Sequence, residues 1–133
     1  MDIVVGYDGS DGGKRALERA AELGQSEDRI LVVAAAESRA HTGITEGAHL
    51  DPSELQRRRH DLDEAKSFLT ARGIESQTIE AFGDPGAVIL DAAESADLVI
   101  VGSRGLNPLQ RLLLGSVSSK VVHRANCDVL VVR

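Results

Sequence analysis

Short apolar runs alternate with amphipathic segments along the whole chain. Three of the runs are continuous and cover residues 2–7, 29–36 and 97–103. Such runs predict strands that are buried on both faces, as in a parallel sheet with helices on either side. Residues 74–81 are more polar and alternate imperfectly, which favours a strand at a sheet edge, and residues 128–133 (DVLVVR) predict a closing strand.

Four segments between these strands have the spacing of helices. The first runs from Gly13 to about Gly24, with small apolar residues on one face and charged residues on the other. The second covers residues 51–72, with Asp51 as its N-cap and Pro52 in its first turn. The remaining two helices are predicted over about residues 84–94 and 115–125.

The resulting order of elements, βαβαβαβαβ, is typical of one parallel sheet with helices on both faces, joined by right-handed crossovers. The expected fold is therefore a single-domain, three-layer α/β sandwich with a five-stranded parallel sheet. Length and composition agree with this, because 133 residues, of which 42% are hydrophobic, can form one continuous core.

Composition narrows the choice of partners and compartment. No run of 18 or more apolar residues occurs, and the start, MDIVVGYDGS, lacks the pattern of a signal peptide. The only cysteine, Cys127, cannot form an internal disulfide, so we expect a cytoplasmic protein that has no membrane partner. A net charge of −6 and 2% aromatic residues argue against binding to nucleic acid.

Two loops are placed to bind a ligand, because open α/β sheets bind ligands beyond the carboxyl ends of their strands. One is DGSDGG, after the first strand, and the other contains Gly102, Gly105 and Gly115 between the fourth strand and the last helix. These glycines can adopt a positive φ or let a ligand approach the main chain. The following helix N-terminus, with the hydroxyls of Ser116 and Ser118, favours an anion such as phosphate.

The spacing Gly102-x2-Gly105-x9-Gly115-Ser116 resembles the ATP-binding signature of the universal stress protein family. The segments YDGS, GDP, DLVIVGSRG and CDVLVVR resemble the same family and occur in its expected order over the whole chain. The resemblance implies one universal stress protein domain over residues 1–133, with the strand order 3-2-1-4-5. This fold is Rossmann-like and similar to that of the adenine nucleotide alpha hydrolases. The resemblance also implies a homodimer and bound ATP.

The same resemblance implies roles for the glycine-rich loop. Gly102, Gly105, Gly115 and Ser116 match the positions that hold phosphate and ribose. Arg104 lies in this loop, where it either contacts the phosphates or is simply solvated.

Further positions follow from the resemblance. Asp8 matches an acidic residue beside the nucleotide, where it could accept from a ribose hydroxyl or lie near the Mg²⁺ or Mn²⁺ that accompanies ATP. Asp8 could equally cap the following helix or stabilise the turn. Ala35 matches a small residue against adenine, and Val117 and Ser118 match the helix start with free N–H groups. The neighbouring Ala34 is smaller than the residue usual in relatives, which predicts a roomier adenine pocket.

Three functions compete at this stage. The first is a regulatory, stress-response module that binds ATP, and the second is an enzyme, either a slow ATP hydrolase or an ATP pyrophosphatase. The third is a phospho-acceptor signalling domain, which ranks last because no aspartate ends the third strand and no lysine follows the fifth. Since GxxxxGK[ST], GxSxG and SGGxDS in the required order are absent from the sequence, we predict the non-enzymatic module, with no catalytic residue and slow ATP hydrolysis as the alternative.

The closing strand, a charged run, the histidines and the cysteine carry the remaining predictions. The closing strand DVLVVR is apolar and lies at a sheet edge in the order 3-2-1-4-5, so it predicts a homodimer in which two such strands pair across a two-fold axis. The run RRRH at residues 57–60, followed by DLDE, is typical of a solvated helix face with ion pairs. The four histidines lack metal-ligand spacing, and Cys127 is expected to be a buried, unreactive thiol.

Overall fold

Strands and helices alternate in the computed structural model, which describes residues 1–36, 52–103 and 114–133. The elements are β1 (Asp2–Gly6), α1 (Asp11–Leu23), β2 (Arg29–Ala36), α2 (Pro52–Thr70), β3 (Ser76–Phe82), α3 (Pro85–Ala92), β4 (Leu98–Gly102), α4 (Ser116–Arg124) and β5 (Asp128–Val132). The predicted alternation is confirmed, with small differences at the ends of elements. The predicted N-cap Asp51 lies outside the described residues.

The five strands form one sheet in the order β3-β2-β1-β4-β5, and every neighbouring pair is parallel. The predicted strand order and the edge positions of β3 and β5 are therefore confirmed. Strand order reverses between β1 and β4, because the chain continues from β1 to β2 on one side and from β4 to β5 on the other. The ends of β1 and β4 at Gly6 and Gly102 thus flank the crevice in which such sheets bind ligands.

Helices cover both faces of the sheet, which confirms the three-layer architecture. One core lies between the sheet and α1 and α2, and its largest fully buried members include Ile3, Val32, Leu69 and Ile100. The other core lies between the sheet and α3 and α4, and includes Val4, Val33, Val99 and Val121. No helix in the described ranges combines the length and the hydropathy needed to cross a membrane.

Helix α1 begins two residues earlier than the sequence pattern predicts, because Ser10 caps it. The Ser10 hydroxyl accepts a hydrogen bond from the Gly13 amide at 3.1 Å, and Ser10 itself has the extended backbone of an N-cap. The glycines of DGSDGG therefore form the first turn of the helix as well as the loop before it. This places the helix N-terminus directly beside the end of β1.

Helix α3 begins at an acidic cap that also joins it to α4. The Asp84 carboxylate accepts from the Ala87 amide at 3.0 Å and from Lys120 Nζ at 2.7 Å. The hydrogen bond from Lys120, followed by that from Ala87, lowers the pKa of Asp84 below its usual value. Because the pKa of Asp84 is lower in the folded protein than in the unfolded chain, the charged carboxylate stabilises the fold at pH values above the pKa of the unfolded chain. This stability is lost as the pH falls through the pKa of the folded protein.

We expect Asp84→Ala to lower the free energy of unfolding by about 1 kcal/mol at pH 7, since the helix loses its N-cap. Asp84→Asn keeps an acceptor for Ala87 and should cost less. Urea unfolding at pH 7 and near pH 3 measures both effects. The deficit of Asp84→Ala should shrink in acid, and a deficit that is the same at both pH values would contradict this account.

Candidate functional site

The turn after β1 is built by Asp8. Its Oδ1 accepts from the Ser10 amide at 2.9 Å and from the Ser10 hydroxyl, and Gly9 adopts a left-handed backbone with φ of 77°. Of the two roles left open by the sequence, the structure thus shows that Asp8 stabilises the turn. No described residue donates a hydrogen bond to its other oxygen, Oδ2, and the side chain is partly exposed. One carboxylate oxygen holds the turn, and the other is available to a ligand.

Gly102, at the end of β4, packs against the first turn of α1. A Cβ placed on Gly102 would lie 2.6 Å from the carbonyl carbon of Gly12 and 2.7 Å from its oxygen. Gly102 does not have a positive φ. The expectation of a positive φ at this glycine is thus wrong, and close packing between β4 and α1 already requires a residue without Cβ. Its predicted contact with phosphate or ribose stays a prediction.

The start of α4 is tied to the end of β4 by the residues at its first turn. The Gly115 amide donates to the Ser103 carbonyl at 2.7 Å. The Ser118 hydroxyl lies 3.2 Å from the same oxygen and 3.1 Å from the Gly115 carbonyl, and only 1% of Ser118 is exposed. Ser118 therefore holds helix to strand with its hydroxyl, which differs from the predicted contact between that hydroxyl and a ligand.

Three backbone amides remain available at this helix start. Gly115 is the N-cap and provides no side-chain cap, and the first helical hydrogen bond runs from the Ser119 amide to the Gly115 carbonyl at 2.9 Å. Within the described ranges, no acceptor is found for the amides of Ser116, Val117 or Ser118. Unpaired amides and the positive end of a helix dipole favour an anion at this position.

The other helix starts whose caps are described differ from this one. In α1 and α3 the side chains of Ser10 and Asp84 accept from an amide of the first turn. The uncapped start of α4 lies next to the end of β4, at the crevice where strand order reverses. Ser116 is exposed there, so its hydroxyl can add to the donors. The candidate site at the start of α4 thus consists of hydrogen-bond donors, namely three backbone amides and the Ser116 hydroxyl.

Two predicted positions on β2 lie on opposite faces of the sheet. Ala35 is partly exposed, pairs with Ala81 of β3 and packs towards the core under α3 and α4. Ala34 is fully buried in the core under α1 and α2, and its predicted effect on the width of an adenine pocket stays a prediction. Predicted site residues Arg104 and Gly105 lie outside the described residues.

The family model described as universal stress protein family matches residues 1–133. The chain belongs to the universal stress protein family. Universal stress protein YxiE of Bacillus subtilis is 33% identical over an alignment of 144 residues, gaps included. The alignment covers 98% of this chain and 97% of YxiE. The solved universal stress protein of Archaeoglobus fulgidus matches with a TM-score of 0.82 and 26% identity, covering 100% of this chain and 98% of that one. A universal stress protein solved in complex with cAMP has a TM-score of 0.77 and 29% identity, covering 100% of this chain and 97% of the other.

This universal stress protein also has a buried charged pair that the sequence analysis did not identify. Only 7% of Arg58 is exposed, so the prediction of a solvated RRRH face is wrong for this residue. Its Nη1 donates to the Asp8 carbonyl at 3.3 Å, and its Nη2 lies 3.3 Å from Asp61 Oδ2. Arg58 is four residues before Leu62, and this spacing on the apolar face of α2 was the available signal.

Burial also changes the acidity of groups around this pair. Desolvation raises the pKa of Asp61, and the nearby Arg58 guanidinium only partly opposes that rise. Tyr7, whose hydroxyl donates to Glu64 Oε1 at 3.5 Å, has a pKa raised to about 12 by burial and by the surrounding carboxylates. In the described ranges, no three His, Cys, Asp or Glu side chains cluster closely enough to hold a metal ion.

Proposed function

We propose that this universal stress protein binds an adenine nucleotide, ATP foremost, with the phosphates at the N-terminus of α4. The observation that carries the proposal is that the amides of Ser116, Val117 and Ser118 have no acceptor among the described residues, at a helix start without a side-chain cap. The related universal stress protein solved in complex with cAMP supports an adenine nucleotide as the ligand. The role of the amides is to donate hydrogen bonds to phosphate oxygens.

The remaining predicted residues complete this site. In the proposal, Asp8 Oδ2 accepts from a ribose hydroxyl, since Oδ1 already holds the turn. Ala35 offers a small apolar surface to the adenine ring. Arg104 and Gly105 belong to the proposed phosphate loop on the strength of the sequence signature alone.

A divalent cation would enter this site together with the triphosphate. Mg²⁺ bound to a nucleotide usually takes most of its ligands from phosphate oxygens and water, and needs only one or two carboxylates from the protein. Since the free oxygen of Asp8 is assigned to the ribose, the cation would be held by phosphate oxygens and water and would lie near the Asp8 carboxylate without being bound by it. The proposal therefore includes ATP with Mg²⁺ or Mn²⁺.

We further propose that the protein acts as a regulatory module in the cytoplasm rather than as an enzyme. The family is that of stress proteins, and no catalytic group is required for the proposed binding. Slow ATP hydrolysis is the second candidate, since a bound triphosphate and cation need only a positioned water. Sustained phosphate release well above about once per minute per chain would favour the hydrolase.

Calorimetric titration tests the binding proposal most simply. ATP, AMP and cAMP are titrated into the purified protein with and without Mg²⁺, and adenosine serves as the control ligand without phosphate. We expect ATP to bind at least about tenfold more tightly than adenosine, a difference of about 1.4 kcal/mol, because the amides contribute only with phosphate present. No heat from any of the nucleotides at millimolar concentration would overturn the proposal.

The proposed assembly is a homodimer formed through β5. This strand lies at a sheet edge and its side chains at Val129, Leu130 and Val131 are partly exposed, which invites pairing with a second copy. We expect light scattering at micromolar concentration to give twice the 14.1 kDa mass of one chain. Val129→Glu should give a monomer, and Phe82→Glu on the opposite edge strand is the matched control. A monomeric wild type would contradict this assembly.

A further inference from the structure

Two charged side chains of helix α2, Arg58 and Asp61, contact the Asp8 turn. Arg58 Nη1 donates to the Asp8 carbonyl at 3.3 Å. Asp61 packs on the next residue, because a Cβ on Gly9 would lie 2.7 Å from Asp61 Oδ1. Arg58 and Asp61 are three residues apart and form an ion pair with each other. One turn of α2 therefore covers the backbone of two consecutive residues of the turn.

Little else holds the Asp8 carbonyl. In the described part of the chain, no backbone amide donates to it, and Arg58 is the donor observed. The Asp8 side chain is fixed separately by Ser10. Arg58 therefore fixes the peptide unit that carries the Asp8 carboxylate, while Ser10 fixes the carboxylate itself.

Burying this charged pair removes two charged groups from water, which costs free energy. Only 8% of the Arg58 side chain and 15% of the Asp61 side chain are exposed, and Glu54 Oε1 lies 3.7 Å from Arg58 Nε. Arg58 Nε and Asp61 Oδ2 are buried without a hydrogen-bond partner among the described residues. Buried ion pairs often stabilise a fold no better than apolar residues of similar volume. Packing alone thus does not explain a guanidinium at this position.

We propose that Arg58, held by Asp61, is a positioning residue for nucleotide binding that fixes the Asp8 turn so that the carboxylate meets the ribose. This inference rests on the proposed function and extends it to a residue of α2. A group that is already oriented in the free protein avoids the cost of ordering it on binding. Arg58 acts through the Asp8 peptide and needs no contact with the nucleotide.

The test compares two ligands in matched variants. Arg58→Met keeps most of the side-chain length and removes the donor, whereas Arg58→Lys keeps a donor. Arg59→Met is the control, because Arg59 is an exposed arginine of the same helix that pairs with Glu80 at 3.2 Å. Calorimetry measures the affinity for ATP and for 2′,3′-dideoxy-ATP, which lacks the ribose hydroxyls. Urea unfolding of each variant measures stability separately.

We expect Arg58→Met to weaken ATP binding about fivefold and to leave the affinity for 2′,3′-dideoxy-ATP nearly unchanged. Arg58→Lys should recover part of the loss, and Arg59→Met should bind both ligands like the wild type. A merely structural role would weaken both ligands equally, and that result would overturn the inference. If Arg58→Met does not fold, Asp61→Asn is expected to show the same ligand-selective loss to a smaller extent, and an equal loss for both ligands would again overturn it.

The outcome also separates this inference from the proposed function. A wild type that binds neither ligand overturns both. A wild type that binds ATP, together with Arg58→Met that binds it equally well, overturns only the positioning role and leaves the nucleotide site in place.

Discussion

Replacing Gly102 with alanine is expected to destabilise the protein by about 3 kcal/mol, the upper end of the usual cost of overpacking. The new Cβ would lie 2.6 Å from the Gly12 carbonyl carbon, 2.7 Å from its oxygen and 2.9 Å from its Cα. All three atoms belong to the backbone of α1, so no side chain can rotate to make room. Either β4 or α1 must shift, and both elements border the crevice.

The matched control is Gly86→Ala. A Cβ on Gly86 would approach Lys120 Cδ to 2.7 Å, a similar distance, but Lys120 is a flexible side chain that can move. Alanine is also preferred over glycine inside a helix by about 1 kcal/mol, which offsets the adjustment. Urea unfolding should show a large loss for Gly102→Ala and little or none for Gly86→Ala. Equal stability of Gly102→Ala and the wild type would contradict the packing of β4 on α1.

Replacing Gly115 with valine is expected to have the opposite signature, a loss of nucleotide affinity with little loss of stability. Gly115 has φ of −63° and ψ of 170°, an extended conformation that other residues adopt without strain. A branched side chain would stand directly before the amides of Ser116 and Val117 and obstruct a phosphate. We expect calorimetry to show ATP binding weakened by at least about tenfold, or about 1.4 kcal/mol. The free energy of unfolding should fall by only about 1 kcal/mol, since valine is a poorer N-cap than glycine.

Ser116→Ala is the control for this second prediction, because it removes one exposed hydroxyl and leaves the backbone amides in place. It should bind ATP much more tightly than Gly115→Val. Binding of ATP to Gly115→Val with wild-type affinity would show that the phosphates lie elsewhere. Unfolding of Gly115→Val would show instead that the glycine serves the fold.

Much of the architecture follows from the sequence for a simple physical reason. Continuous apolar runs such as residues 29–36 are typical of strands buried on both faces, and their alternation with amphipathic helices favours a parallel sheet between two helical layers. The polar strand β3 was accordingly predicted at an edge, whereas the edge position of β5 followed from the strand order that the family resemblance implies. The donors at the start of α4 were also predictable, because the glycine spacing marks a helix start that lacks a capping side chain.

The partners of individual residues could not be predicted, because they come from distant parts of the chain. Gly102 has no room for a Cβ because the backbone of Gly12 in α1 packs against it, and no pattern around Gly102 indicates that contact. The hydroxyl of Ser118 meets a carbonyl of the strand end at Ser103, although serine in a first turn suggests a free donor. Arg58 lies in a charged run, yet its spacing from Leu62 puts it on the buried face of α2.

We propose that the amides of Ser116, Val117 and Ser118, which have no acceptor in the described part of the chain, bind the phosphates of an adenine nucleotide. Backbone amide chemical shifts measured by NMR during titrations with ATP and with adenosine test it residue by residue. We predict large, saturable shifts of these three amides with ATP and much smaller ones with adenosine, both following the calorimetric affinity. Binding of ATP that shifts amides elsewhere and leaves these three unchanged would contradict the account.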